Sequence, residues 1–269
     1  MAKTAQRIRV GVGGWTYEPW RDNFYPKGLP HSRELAYASS KLTSIEINGT
    51  YYSTQKRDSF AKWRDETPDD FVFSLKASRY ATNRRELGTA GESIERFVRS
   101  GIAELGPKLG PIVWQFMPTK RFDPDDFAAF LRLLPAEVEG VGLRHVMDVR
   151  HDSFKTPEFI DLVRKHRAAT VFTDSDEYPS FADLTTDFVY ARLMRTDVTV
   201  STGYPDAALD GWAHAITTWA QGSEPQGVPL VGGKAAAAKA RDVFVYFISG
   251  AKERNPAAAM ALIERLRSS

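Results

Sequence analysis

The sequence has no cysteine among its 269 residues, which excludes disulfides, thiolate-held metal centres and cysteine nucleophiles together. It also lacks any apolar run long enough to span a bilayer. Its opening residues, Met1 to Val10, enter a strand-like pattern without an apolar leader. A cytoplasmic protein without membrane contact is expected. Histidine is scarce: His31, His145, His151, His166 and His214 are scattered, and no pair has zinc-site spacing. Only His151, beside a polar strand end, is kept as a proton-transfer candidate. Charge of one sign is missing too. With 36 Lys and Arg against 34 Asp and Glu, no global field draws the chain to nucleic acid, and a local basic patch is the one electrostatic route to it. Neither glycine cluster makes a phosphate loop. Gly11, Gly13 and Gly14 lack the spacing and following helix of a dinucleotide fingerprint, and Gly232-Gly233-Lys234 lacks the P-loop frame.

What remains is a globular composition, 42% hydrophobic and 26% charged, in a length that one α/β barrel fills. The chain alternates strand and helix patterns. Strands are expected at 8–15, 44–48, 71–77, 110–116, from His145 into the polar turn after Arg150, 170–174, 188–194 and 242–248. Between them lie helical stripes, opened by Asp58, by Asp123-Pro124, by Thr156-Pro157 and by Asn255-Pro256. The proline- and aromatic-rich stretch from Thr16 to Pro30 reads as a long loop over one barrel end. Residues 221–240, rich in Gly, Pro and Ala, read either as partly mobile chain or as an Ala-rich helix capping the barrel. The order predicts a single domain over 1–269, a (β/α)8 TIM-like barrel with one irregular unit between strands six and seven, where only a turn or two of helix fits. An open doubly wound sheet is the alternative.

A barrel gathers the polar residues near its strand C-termini at one face. Those residues are Glu46, Lys76, Gln115, Asp148, Arg150, Asp174, Arg192 and Tyr246. His145 to Phe154 anchors the set, because Val146, Asp148 and Arg150 share one face of an alternating segment while Met147 and Val149 take the other. Each of these groups taken singly has a bland reading as a paired core ion. Eight together exceed what scaffold pairing requires. Glu46 and Asp148 are the candidate acid/base pair, and Lys76, Gln115, Arg150, Asp174, Arg192 and Tyr246 the candidate substrate-binding groups. The carboxylates suit Mg²⁺ or Mn²⁺ as well, but the basic neighbours compete for them, so no cofactor is expected. Arg79, Arg84, Arg85 and Arg195 add cations to the rim, which fits a small polar or anionic ligand. With Trp15, Tyr17, Trp20 and Tyr51 close by, it fits nucleic acid as an alternative partner, although core packing under a long loop is the first reading of such aromatics.

The segment Gly13-Gly14-Trp15-Thr16-Tyr17-Glu18-Pro19-Trp20, with Phe24-Tyr25-Pro26 after it, resembles the opening signature of the YecE-like family (domain of unknown function seventy-two). The resemblance extends through Glu46-Ile47-Asn48, Thr50-Tyr51-Tyr52, Phe73 to Lys76, Gly110-Pro111, Trp114-Gln115, Asp148 to His151, Tyr190-Ala191-Arg192, Asp242 to Phe247 and the closing helix. It implies a TIM-barrel-like fold and no established reaction. Departures are Asp148 where the family usually has Glu, and Asn83 and Met194 near positions where histidines often follow strands three and seven. Ser249-Gly250 stands where many members carry asparagines. Histidine-based catalysis at the two substituted positions is therefore not expected. The sequence leaves two classes open: an acid/base enzyme acting on a small anionic or sugar-like ligand, and a non-catalytic ligand- or nucleic-acid-binding protein.

Overall fold

Strand segments rich in Val, Ile and Phe alternate inward and outward side chains, and in the computed structural model, which describes residues 8–233, 237 and 239–268, they form one closed barrel. Its strands are β1 Ile8–Gly13, β2 Ser44–Ile47, β3 Val72–Lys76, β4 Leu109–Gln115, β5 His145–Asp148, β6 Ala169–Thr173, β7 Phe188–Leu193 and β8 Asp242–Phe247. All neighbours pair in parallel, and Ile8 to Val12 of β1 close the ring against Val243 to Phe247 of β8. The (β/α)8 expectation is met and the open sheet is ruled out.

Two-residue alternation divides the apolar residues into two cores. Val72, Val113, Val146, Val171, Phe188, Tyr190 and Phe244 fill the barrel. Ile45, Phe73, Leu75, Trp114, Met147 and Phe172 face outward onto the helices. Gly11 is required where β1 meets β2, because a Cβ there would lie 1.9 Å from the Ser44 carbonyl oxygen.

The helices are α1 Glu34–Lys41, α2 Arg57–Asp65, α3 Gly91–Val98, α4 Pro124–Leu133, α5 Pro157–Lys165, α6 Asp206–Ala220 and α7 Asn255–Ser268. Asp123 caps α4 by accepting from the Asp125 and Asp126 amides, and Thr156 caps α5 by accepting from Phe159. Asp58 does not cap α2. The helix begins one residue earlier, and Asp58 lies in its first turn, where the positive end of the helix dipole still favours it.

The irregular unit lies where expected, but residues 174–187 contain no helix at all. Phe181, Ala182 and Leu184 from this stretch, with Val228 and Val231 from the segment after α6, supply the apolar cover instead. The Ala182 amide donates to Pro229 O, and the Asp183 carboxylate accepts from the Val231 and Gly232 amides at 2.9 and 2.7 Å. Residues 221–233 therefore form no capping helix, and 234–236 and 238 lie outside the described residues. Asp183→Ala is expected to leave two inward amides unpaired and to lower stability by about 1–3 kcal/mol, read as a shifted denaturant midpoint at constant slope.

The Thr16–Pro30 loop packs against the β8–α7 connection, at the C-terminal end of the barrel. The buried Trp20 indole donates to Lys252 O at 2.8 Å, and Asn23 donates to Glu253 O at 3.0 Å. Trp15 packs edge-on to Trp63 and Phe73. Trp15 and Trp20 are thus scaffold. Among the described residues no helix is long and apolar enough to cross a membrane.

Candidate active site at the barrel mouth

The last inward residues of β2, β4, β5 and β7 meet at the C-terminal end of the barrel. Glu46 and Arg192 are buried there and form a side-on pair: Arg192 Nη2 donates to Glu46 Oε1 at 2.6 Å and Nε to Oε2 at 3.1 Å. Tyr190, one inward step below Arg192 on β7, donates its hydroxyl to Glu46 Oε2 at 2.6 Å. Arg192 Nη1 bridges outward to Asp148 Oδ2 at 2.6 Å and Gln115 Oε1 at 3.1 Å. Burial alone would lower the Arg192 guanidinium, but Glu46 and Asp148 outweigh that and hold it above the usual arginine value. Burial beside Glu46 pushes the Tyr190 hydroxyl well up, so it remains a donor.

Arg150 follows β5 and folds back over this pair. Its Nη2 donates to Gln115 Oε1 at 2.9 Å and Asp148 Oδ2 at 3.2 Å, while its guanidinium lies 4.3 Å from the Tyr178 ring centroid. Among the described residues Nη1 of Arg150 has no acceptor, and every hydrogen bond to Asp148 falls on Oδ2, leaving Oδ1 without a protein donor.

Lys76 ends β3 on the same side. The short helix Gly49–Tyr52 after β2 lays Tyr51 beneath it, with Nζ 4.2 Å from the ring centroid. The Thr50 hydroxyl donates to the Lys76 carbonyl at 2.7 Å and fixes the two elements together. Among the described residues no carboxylate lies within ion-pair distance of Nζ. Burial and the neighbouring Arg192 lower the ammonium to about 8; Glu46 and Asp148 oppose this, and Arg150 adds to the lowering.

Thus Glu46, Gln115, Asp148, Arg150 and Arg192 form one bonded cluster, with Lys76 coupled to it through charge. Two expected members are elsewhere. Tyr246 is buried within the barrel, its hydroxyl 2.7 Å from Ser44 Oγ. Asp174 accepts from the Met194 amide and the Tyr204 hydroxyl, both at 2.6 Å, and so pins the chain that leaves β7. Burial raises its carboxyl, and those two bonds oppose the rise. His151 Nδ1 accepts from the Ser153 amide at 3.0 Å in a local turn. On the rim, Arg84 is tied to Tyr80 O and Ser93 and Arg195 to Asp176, whereas Arg79 lies between the exposed rings of Tyr52 and Tyr80 at 5.9 and 5.5 Å. Among the described residues no three of His, Asp and Glu group as a cation site.

Sequence reading missed Tyr190 and Tyr178 as site residues. Inward alternation through Phe188, Tyr190 and Arg192 carried the signal for the first. Nothing local marked the second, because Tyr178 reaches Arg150 from the helix-free stretch.

The family model for "Protein of unknown function DUF72" matches residues 9–269. The UPF0759 protein YunF of Bacillus subtilis (strain 168) is 26% identical over 160 residues, covering 57% of this chain and 54% of that protein. The UPF0759 protein YecE of Escherichia coli (strain K12) is 28% identical over 142 residues, covering 51% and 48%. The chain thus spans about half the length of the curated relatives it matches. Among solved structures, a DUF72 family protein of Thermotoga maritima superposes with a TM-score of 0.72 at 18% identity, covering 97% of this chain and 99% of that one. One from Enterococcus faecalis gives 0.70 at 16% identity, covering 97% and 96%. At those identities the likeness is one of fold.

Proposed function

The chain belongs to the DUF72 family, and we propose that it is an enzyme whose barrel mouth binds a small carboxylate- or phosphate-bearing, or sugar-like, ligand and acts on it by acid/base chemistry. One observation carries the reading. Three cations, Lys76, Arg150 and Arg192, face two carboxylates, Glu46 and Asp148, and of the three it is Lys76 that has no ion pair among the described residues. A half-buried surplus charge is costly unless a ligand anion joins it.

The roles follow from what each group has left to offer. Glu46, expected as an acid or base, has both oxygens occupied by Arg192 and Tyr190 in a buried position. It is better placed to hold Arg192 rigid than to carry a proton. Asp148, with Oδ1 unoccupied, and Lys76, poised near neutral pH, are the proton-transfer pair. Arg150 Nη1 anchors the anion, and Gln115 aligns both arginines through one oxygen. Tyr246 and Asp174 support the barrel interior and the β7 exit.

The second reading, nucleic-acid binding without catalysis, has the exposed Tyr52–Arg79–Tyr80 cluster in its favour. A thermal-shift panel of organic acids, sugar phosphates, nucleotides and oligonucleotides separates the two. Small anions are expected to raise the melting temperature, by the equivalent of about 2.7 kcal/mol at a hundredfold excess over Kd, and Arg150→Ala to abolish the rise. Stabilisation by oligonucleotides alone, fading with salt, lost in Arg79→Ala and indifferent to Arg150→Ala, would replace the enzyme with the binding protein.

A further inference from the structure

Three groups at the mouth are left without a hydrogen-bond or ion-pair partner among the described residues: the Lys76 amine, Asp148 Oδ1 and Arg150 Nη1. They stand on two strands and a strand end that flank β4, since β3 and β5 both pair with it and Gln115 lies level with Asp148. Lys76 lies level with Val113 and Asp148 with Gln115, so two strand spacings and a two-residue offset set their backbones roughly 12 Å apart. The set comprises a nucleophile, a proton carrier and an anion anchor. Held over the Tyr51 ring, with no carboxylate of the described residues in ion-pair distance, the Lys76 amine has the desolvation and the freedom from a locking partner that a nucleophilic lysine needs.

We propose that Lys76 is a Schiff-base residue for a small carbonyl compound carrying a carboxylate, of which a 2-oxo acid is the simplest form. This rests on the acid/base reading of the mouth and names its substrate class. Arg150 Nη1 takes the carboxylate and sets the carbonyl carbon against Nζ. The neutral amine adds to that carbon, forming the C–N bond while the carbonyl π pair moves to oxygen. One proton passes from nitrogen to that oxygen, giving a carbinolamine. Asp148 Oδ1, which takes one proton from the Lys76 ammonium before the attack, returns it to the hydroxyl; that leaves as water, and the nitrogen lone pair forms the C–N double bond of the iminium. The iminium is the electron sink for breaking a bond at the adjacent carbon, which becomes an enamine carbon: the chemistry of aldol cleavage, or of losing a second carboxylate carried on that carbon.

The charged and titratable groups facing Lys76 are Tyr51 beneath it, Arg192 and Arg150, and the carboxylates Glu46 and Asp148. Burial, with Arg192 and Arg150, lowers the amine to about 8 against the opposing pull of Glu46 and Asp148, so adduct formation rises through that pH. Lys252 is an internal control. It too lies over an aromatic ring, 4.1 Å from the Tyr17 centroid, and burial lowers it, but no arginine–carboxylate cluster accompanies it.

The test treats the intact protein with glyoxylate and sodium borohydride and maps reduced adducts by peptide mass spectrometry. Lys76 is expected to react about tenfold or more faster than any other lysine, including Lys252. Labelling is expected to rise through pH 8 and to fall at least about tenfold in Arg150→Ala. Lys76→Arg, which keeps the charge, should fold and lose the adduct. Labelling spread evenly over the lysines, or untouched by Arg150→Ala, overturns the assignment. Oxalate, which has no carbonyl able to form an imine under these conditions, distinguishes the failures. If oxalate stabilises the wild-type protein but not Arg150→Ala while Lys76 fails to trap glyoxylate, the Schiff base is wrong and the acid/base reading stands. If oxalate fails as well, both fall.

Discussion

Arg192→Met is expected to cost about 3–5 kcal/mol of folding stability and to lower the melting temperature by roughly 6–20 °C for a chain of this size. The reason is what remains behind. Arg192 makes two bonds to Glu46, one to Asp148 and one to Gln115 at the end of the barrel interior. Without it Glu46 keeps only the Tyr190 hydroxyl, at a site with no exposure to water. A buried charge robbed of its partner loses the Coulomb term yet retains the desolvation penalty, so the loss exceeds that of any surface pair. Pairing Arg192→Met with Glu46→Gln removes the stranded charge and should recover part of the loss. By comparison, breaking the exposed Arg96–Glu92 pair should be almost silent. Denaturant unfolding of the two singles and the double measures this. A loss below about 1 kcal/mol for Arg192→Met would mean that the pair is not buried as described.

Stability should also fall on the acid side because of a single histidine. His145 is buried on β5, where the Trp114 indole donates to Nδ1 at 3.0 Å. That bond fixes the tautomer, so Nε2 carries the hydrogen and donates to Pro135 O at 2.8 Å. The ring is satisfied only when neutral. Burial lowers it from 6.5 to about 4, with the Pro135 bond opposing. Between those values the unfolded chain binds a proton that the folded protein refuses. The contribution is therefore fully present above about pH 6.5, is lost as pH falls toward 4, and is flat below. The difference amounts to on the order of 3 kcal/mol. Stability measured across pH 4 to 7 in the wild type and in His145→Gln isolates it, since carboxylates titrate alike in both. A wild-type protein that loses no more stability than His145→Gln over that range contradicts the assignment.

Elements marked by local chemistry were legible in the sequence. Asp123-Pro124 and Thr156-Pro157 start helices because a capping oxygen and a proline in the first turn act within a few residues. The alternation of Val146 and Asp148 with Met147 and Val149 divides inward from outward because strand geometry alone demands it. The mouth could be listed, since inward polar residues at strand ends converge in any barrel, but who bonds to whom could not. For Glu46 the sequence allows an acid/base group or the partner of a core arginine alike, because Tyr190 and Arg192 lie more than a hundred residues away and only barrel closure brings them together. Asp174 looked like a site residue because nothing near it reveals the Met194 amide and Tyr204 hydroxyl that occupy it. The cover for residues 174–187 was illegible for the same reason. It comes from Val228 and Val231 of the segment after α6, with Asp183 accepting from the Val231 and Gly232 amides.

The central claim is that the mouth holds an unpaired, half-buried cation at Lys76 waiting for an anion. It is tested most directly by following the lysine side-chain resonances against pH by NMR, with Lys76→Arg supplying the assignment. The resonance missing from Lys76→Arg is expected to titrate near 8, while exposed lysines titrate at about 10.4. Adding phosphate should move it upward, because an anion bound beside the ammonium favours its charged form. A Lys76 resonance that titrates with the other lysines, or one that phosphate leaves where it was, would contradict the account.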